Sequence, residues 1–530
     1  MANVAAWIVI LGIACGSMLA SRSLVHYFQL ESYQFPGYYR TLKRNARRAV
    51  IPGVLMTVVA VLAMLIGMIH AAGFVKLLLG IVAGALALGG GLLIGRMTAV
   101  KQAKKALVFT ARIKRLYVIG AIVYAVVCFA LRGLWAMLPM AFPMLLPVWL
   151  ALAGLIAWPV EKLISELYFR DAQKRLKERP DLIKIGITGS YGKTSVKFIL
   201  GTMLSEKYQT LVTPSSYNTP MGVTRIIREK LLPTHQVFVA EMGARHVGDI
   251  KELCRLVHPK YGVLTSVGPQ HLDTFKTIER IKKTKYELMD AIPKDGWCFF
   301  PDDGAICREL YDRTKKSKTL CCLDNNGEAA VWAEDIRVSP MGSTFMLCTK
   351  DGRVECQTKL LGRHNIQNVL LAATVCLQLG LTLRQVMQGI AKLTPVEHRL
   401  QLMPPRGGMT VIDDAFNSNP RGAEAALDVL AGFEGRRIII TPGMVELGEG
   451  EAEFNRAFGE KMASCVDVAI LVGKKHTAPI AEGLTAAGFY PENLHVTASL
   501  TEAAEMLRRI GRSGDVVLFE NDLPDNYSEQ

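Results

Sequence analysis

Lys184-Ile-Gly-Ile-Thr-Gly-Ser-Tyr-Gly-Lys-Thr-Ser195 is the stretch around which the rest of the chain is organised. The apolar, β-branched run 183–188 reads as a buried strand, and 195–204 has the pattern of a helix. Between them come glycines at 186, 189 and 192, then Lys193 and Thr194. Glycine lets backbone N–H groups turn inward and approach an anion. A helix N-terminus adds partial positive charge at the same place. Lys193 is thereby placed to neutralise the outer phosphates of a nucleotide, and the Thr194 hydroxyl to sit on Mg2+. The common spacing of such loops needs glycine at 187, where Ile187 stands, so this is a variant form. The bland alternative is a strand-to-helix turn that binds nothing. The order strand, loop, Lys-Thr, helix weighs against it.

Outward from the loop, the 530 residues leave room for about three domains. Half of the chain is apolar, and its charge is unevenly spread. Residues 1–180 hold 21 Lys and Arg against 5 Asp and Glu; the remainder holds 41 against 42. The basic balance is thus a property of the N-terminal third, where cations are interleaved with long apolar runs. That pattern reads as a membrane segment rather than a nucleic-acid surface. The 11 cysteines are scattered, with no C-x-x-C and no zinc spacing, which fits reduced and mostly buried thiols.

Apolar runs at 4–20, 49–69, 74–95, 116–138 and 142–160 are each near the roughly 20 residues needed to cross a bilayer. The first lacks a basic leader, and its positive charges follow it, so it reads as a span rather than a signal peptide. Two basic loops separate the runs: Arg22, Arg40, Lys43, Arg44, Arg47 and Arg48, then Arg96, Lys101, Lys104, Lys105, Arg112, Lys114 and Arg115. Short turns at 70–73 and between Pro139 and Pro143 join the other ends. Positive-inside counting places both basic loops in the cytoplasm, the N-terminus outside, and everything after 160 in the cytoplasm. Arg132, inside the fourth run, reads as snorkelling to the outer interface. No Asp or Glu lies between Glu31 and Glu161, so an acidic proton relay through the membrane has no residues to use.

The charged segment 161–179, ending at Pro180, reads as a helical stalk. Beyond it, strand-like runs at 237–240, 261–266, 298–300, 411–412, 437–441, 468–472 and 516–519 alternate with amphipathic helices. That alternation predicts parallel sheets flanked by helices. A polar break at Thr394-Pro-Val-Glu-His398 divides the region in two. The domains expected are 1–160 for the membrane, 161–180 for the linker, 181–394 for a central nucleotide-binding domain and 395–530 for a second α/β domain.

Several segments after the loop carry chemistry. Val239-Ala-Glu-Met-Gly-Ala244 and Thr265-Ser-Val-Gly-Pro-Gln-His271 put Glu241 and His271 at strand ends, where ligands gather in open α/β sheets. Each could face Mg2+; singly, a surface carboxylate and a satisfied histidine are the commoner readings. Ile281-Lys-Lys-Thr-Lys-Tyr-Glu287 is a basic helical stretch whose plain reading is a solvated face. Leu361-Gly-Arg-His-Asn-Ile-Gln-Asn368 opens an apolar helix, as a cap or as a base-recognition segment. Asp413-Asp-Ala-Phe-Asn-Ser-Asn-Pro420 follows a strand and is rich in turn formers.

From about 181 to 519 these segments, with Gly-Met-Val-Glu-Leu-Gly at 443–448, stand in the order found in the Mur ligase family of ATP-dependent amide ligases. The last two segments resemble its D-alanyl-D-alanine-adding branch. The resemblance implies a P-loop-type parallel-sheet ATPase domain and a C-terminal Rossmann-like domain, following a polytopic α-helical membrane domain. It implies ATP-dependent amide-bond formation through an acyl phosphate, in cell-wall precursor synthesis. By position it gives ATP contacts to Gly189, Ser190, Tyr191, Gly192, Lys193, Thr194, Ser195, Asn368, Arg399 and Asp414. Metal ligation goes to Thr194, Glu241, His271 and Lys285, the last as a carbamylated lysine. Substrate contacts go to Asn218, Asn417 and Asn419. The catalytic set is Lys193, Lys285, His271 and Glu241. Partners implied are a muropeptide acceptor, soluble or lipid-linked, and an amino acid or dipeptide amine; cell-wall synthesis proteins would dock at the membrane domain, and no nucleic acid is expected.

Three departures stand out. Membrane spans replace the family's domain for a UDP-linked substrate. Pro301-Asp-Asp303 lacks the usual Asn two residues before the Asp. The last strand runs into Glu520-Asn-Asp522 instead of Lys-Gly-Ser. Two other readings remain open from the sequence: a poly-γ-glutamate-type polymer synthetase and a non-enzymatic ATP-binding membrane scaffold.

Overall fold

The computed structural model describes residues 2–71, 73–100, 106–131, 142–215, 217–416 and 418–523. Lys101, Lys104, Lys105, Arg132, Pro139 and Asn417 lie outside the described residues. The chain divides into two compact units, one through Glu166 and one from Leu167 to Leu523.

In the first unit, five helices among the described residues are long and apolar enough to cross a membrane. They include Ala2–Ala20, Ala46–Met68, Gly73–Met97 and Ala111–Leu131; the fifth is Leu146–Lys177, entered through a short turn at Phe142–Leu145. Large apolar side chains such as Val58, Leu65, Leu93, Val118 and Ile122 are exposed, whereas Ala60, Ala63, Ala83 and Ala87 are fully buried. Small residues inside let helices approach closely. A Cβ added to Gly12 would come within 2.5 Å of the Gly84 Cα, and one on Gly91 would collide with the Gly16 carbonyl. Ala2–Ala20 and Gly73–Met97 therefore meet backbone to backbone. The acid Glu161 accepts from Arg115 at 2.6 and 2.9 Å, and the Arg112 guanidinium stacks 3.9 Å over the Tyr33 ring.

The segment 161–179 is helical, as its pattern predicts, and belongs to a longer helix. The fifth helix continues without a break to Lys177. Phe169, Ala172 and Leu176 are buried in the core of the second unit, because they recur at helical spacing among the charges.

That second unit holds two sheets. The larger contains β1 (Ile183–Thr188), β2 (Thr210–Val212), β3 (Val237–Glu241), β4 (Tyr261–Leu264), β5 (Trp297–Pro301), β6 (Lys318–Cys321), β7 (Val331–Ser339), β8 (Gly342–Thr349) and β9 (Gly352–Thr358). Their spatial order is β2-β3-β1-β4-β5-β6-β7-β8-β9. Pairing is parallel through β7, as the alternation predicts, while β7, β8 and β9 add antiparallel strands that it did not predict. Side chains leave the strands alternately into two cores. Val237 and Val239 join Ile199, Leu200 and Leu370 on one face; Phe238 and Ala240 join Ile250, Leu253 and Leu288 on the other. Burial on both faces is why these strands are continuously apolar.

The smaller sheet contains β10 (Gln401–Arg406), β11 (Met409–Asp414), β12 (Arg437–Thr441), β13 (Val468–Val472), β14 (Leu494–Thr497) and β15 (Val516–Glu520), in the order β10-β11-β15-β12-β13-β14. Only β10 runs antiparallel to its neighbour. The sheets part after the helix Leu383–Ala391, next to the polar break at 394–398. All 11 cysteines are free, and all but Cys15 are buried.

Candidate active site

Strand register brings the site together. Ile187 of β1 lies between Glu241 of β3 and Val263 of β4, so the loop after β1 emerges beside Glu241 and beside the loop after β4. The helix Lys193–Leu204 begins immediately after Gly192, whose φ of +76 suits a residue without Cβ.

The loop after β4 fixes the glycine-rich loop in place. Ser190 N donates to Ser266 O at 2.7 Å, and Tyr191 N to the Ser266 hydroxyl at 2.9 Å. The Ser190 hydroxyl donates to Gly268 O at 3.0 Å, and the Tyr191 hydroxyl to Pro269 O. The side chains of Ser190 and Tyr191, expected against nucleotide, also hold the loop's shape. Gly189, Gly192 and Ser195 stay as backbone positions around the start of the helix.

Lys193 donates back to the carbonyls of Gly189 and Ser190 at 2.7 and 2.9 Å. Burial pulls its ammonium down to about 8, against the pull of Glu241. The Thr194 hydroxyl donates to Glu241 Oε1 at 3.2 Å, and Asn218 Nδ2 donates to the same oxygen at 3.0 Å. Asn218, expected at substrate, thus supports the metal-side acid.

Glu241 has a further partner that the sequence did not single out. Lys197, one helical turn after Lys193, is wholly buried with its Nζ 3.0 Å from Glu241 Oε2. It also donates to Ser215 O at 2.6 Å. Burial alone would push the Glu241 carboxyl up; Lys197 and Lys193 reverse that and hold it below the usual range. Lys197 was hidden in a segment that reads simply as helix.

His271 sits in the left-handed region, and its Nδ1 lies 2.5 Å from Glu446 Oε2. Lys285 is buried against the Phe275 ring, 6.0 Å from its centroid, and burial plus Lys193 push its amine far below the usual lysine value. The basic stretch 281–287 is therefore no solvated face at this position.

Arg399 stacks 4.6 Å over the Phe416 ring. Asp414 Oδ1 accepts from Leu400 N at 3.0 Å, and burial with the nearby Glu520 carries its carboxyl up to about 7. Asn368 lies beside the loop: a Cβ on Gly192 would be 3.0 Å from its Oδ1. Asn419 caps the helix Pro420–Ala431 by accepting from Gly422 N at 2.9 Å, and Asn417 is outside the described residues.

Among the described residues, no three His, Cys, Asp or Glu side chains converge on a point. Of the expected metal set, Thr194 and Glu241 meet, and His271 Nδ1 is engaged by Glu446, which leaves Nε2 as its remaining ring nitrogen. A hydroxyl and a carboxylate beside a phosphate loop still suit Mg2+, which keeps several waters and takes the rest of its shell from phosphates.

Two family models cover this region. Residues 187–376 match the Mur ligase middle domain, and 398–520 match the Mur ligase glutamate ligase domain. The chain belongs to the Mur ligase family. The UDP-N-acetylmuramoyl-tripeptide–D-alanyl-D-alanine ligase of Mycobacterium bovis is 31% identical over 358 residues, covering 63% of this chain and 69% of that one. The Escherichia coli K12 enzyme of the same name is 29% identical over 341 residues, covering 63% and 75%. A MurF crystal structure from Acinetobacter baumannii superposes with a TM-score of 0.63 at 25% identity, over 68% of this chain and 78% of that one. As a Mur ligase, this chain is an ATP-dependent carbon–nitrogen ligase. The first of the two family models begins at residue 187. Of the residues in the site, Lys197, Glu446 and Glu520 had no role assigned from sequence. Glu446 lay within the quoted segment 443–448, so its place was legible although its task was not.

Proposed function

We propose that this Mur ligase is a multi-pass membrane enzyme that joins an amine to the carboxyl end of a peptidoglycan precursor peptide, with its catalytic domains at the cytoplasmic face. The observation that carries this is the Thr194–Glu241–Asn218 cluster at the mouth of the loop, with Lys193 alongside. Domain limits of 1–160, 181–394 and 395–530 are part of the proposal, as is an N-terminus outside. The outward apolar faces of the five helices and the cationic N-terminal third support it.

ATP transfers its γ-phosphoryl group to an acceptor carboxylate, giving an acyl phosphate and ADP. The amine attacks the carbonyl carbon, phosphate leaves from the tetrahedral intermediate, and a C–N bond forms. Lys193 exchanges its two loop carbonyls for phosphate oxygens and neutralises charge as it develops. Its lowered basicity leaves it a cation at neutral pH in the presence of phosphate. Thr194 and Glu241 would hold the cation, with Lys197 and Asn218 fixing the carboxylate. When bound, Mg2+ supplies charge neutralisation on the phosphates. Arg399 and Asp414 contact nucleotide from the second sheet. The Lys285 amine, its basicity lowered by burial, would add CO2 and lose a proton to give an anionic carbamate that could help to hold the cation. Burial away from water protects the acyl phosphate.

Purified protein with ATP, UDP-N-acetylmuramoyl-tripeptide and D-alanyl-D-alanine is expected to release phosphate; no turnover rejects the D-alanyl-D-alanine-adding assignment. A second reading, favoured by the five apolar helices in the first unit, is a lipid-linked acceptor. Faster turnover on a lipid-linked muropeptide than on the soluble one supports it, and the reverse rejects it.

A further inference from the structure

His271 and Glu446 both hold left-handed backbones, φ +52 and +66, and neither is glycine. Such strain persists only where surrounding structure fixes it. Here the surroundings are specific. Leu272 N donates to the Glu446 carbonyl at 3.1 Å, and Arg245 lies 3.7 Å from Glu446 Oε1. The segment bearing Glu446 is held from behind. Buried Asn455 accepts from Met444 N and donates to Met444 O, each at 2.9 Å, and Asn521 Nδ2 donates to Gly443 O. Glu446 is therefore presented by a fixed loop, not by a free surface side chain. Its carboxylate oxygen can only accept, so His271 Nδ1 carries the proton and Nε2 keeps its lone pair. The ring ends the loop after β4, whose Ser266 and Gly268 hydrogen-bond the glycine-rich loop.

We propose that Glu446 is the positioning residue for His271: it fixes the ring's tautomer and direction, so that Nε2 reaches the metal–nucleotide site only when loop 443–448 is docked on 271–273. The second sheet would thus help to complete a metal set whose other groups, Thr194, Glu241 and Lys285, come from around the first. This rests on the nucleotide and metal reading above. A carboxylate behind a ligating histidine raises metal affinity by holding the ring in register.

The test uses full-length protein in nanodiscs, titrated with Mn2+ in the presence of ADP, with bound metal read by electron paramagnetic resonance. Hydrogen exchange at the Leu272 amide is followed in parallel. That amide bonds the Glu446 backbone, so it reports docking independently of the side chain. Glu446→Ala is expected to weaken Mn2+–ADP binding about ten- to hundredfold. Glu446→Gln, which still accepts from Nδ1, loses less, and both keep Leu272 slow to exchange. His271→Ala combined with Glu446→Ala binds no more weakly than His271→Ala alone. Unchanged affinity in Glu446→Ala overturns the proposal. So does a loss that tracks Leu272 exchange in both variants, which would make the contact a structural clasp only, or one that adds to the loss in His271→Ala. A wild-type protein that binds no Mn2+–ADP rejects the nucleotide site itself, and the positioning role with it.

Discussion

Lys197 and Glu241 form an ion pair with side-chain exposures of 0% and 1%. Removing one partner of such a pair strands the other charge, at a cost of about 3–5 kcal/mol. Lys197→Met should therefore lower the melting temperature sharply, and adding Glu241→Gln should recover part of the loss, both read by thermal unfolding. Glu520 presents the opposite case. It ends β15 wholly buried, with Thr441 donating to one oxygen, and burial raises it from 4.5 to about 7 against the opposing pull of Ser418 and Thr441. An acid raised in the fold stabilises most below its unfolded value. That contribution is lost as pH rises from about 4.5 toward 7. Glu520→Gln should be close to neutral for stability at pH 5 and stabilising at pH 8, by the order of 3 kcal/mol from the size of the shift. Denaturation at the two pH values measures it, and equal effects at both would contradict it. At this scale the sequence was readable where a residue type has few uses, as at Lys193 and Thr194. It was opaque at Lys197, because a lysine on a helix is ordinarily solvated and only the β3 register brings Glu241 to it.

Among elements, the loop between β1 and the following helix admits least change. Gly189 has φ +155, and a Cβ there would collide with the Thr265 hydroxyl and lie 2.9 Å from Ser266 O. Those two residues hold the loop, so Gly189→Ala displaces its backbone donors. ADP affinity should fall at least about tenfold, equivalent to 1.4 kcal/mol, by calorimetry. The strands 437–441 and 468–472 form over the residues that the apolar runs mark. Those runs are buried on both faces, and composition alone identifies them. β7 to β9 were missed for the converse reason. In Val331–Ser339 most side chains beyond Ala333 face solvent, so the strand has no apolar signature, and its pairing with β8 is set by the tight turn that joins the two. In the charged helical segment 161–179, charge density hid Phe169, Ala172 and Leu176, whose spacing becomes meaningful only once a core is present to receive them.

For the whole molecule, the division at Glu166 and Leu167 follows the charge and hydropathy asymmetry visible in the sequence. The proposed topology makes a direct prediction. A cysteine placed at His70, in the turn between two helices, should react with an impermeant maleimide added outside intact cells, and one at Lys114 only after permeabilisation. The native thiols give little background, since all but Cys15 are buried. Labelling at Lys114 from outside would invert the topology. The glycine seam between Ala2–Ala20 and Gly73–Met97 bears on how such a protein is made. The first helix emerges from the ribosome well before its partner, with its glycines and alanines still facing nothing. Its lasting place is then set by a later segment of the same polypeptide, and biogenesis acquires an order: a leucine at Gly84 would be felt as a failure of the first helix to stay, in a segment that the substitution never touched.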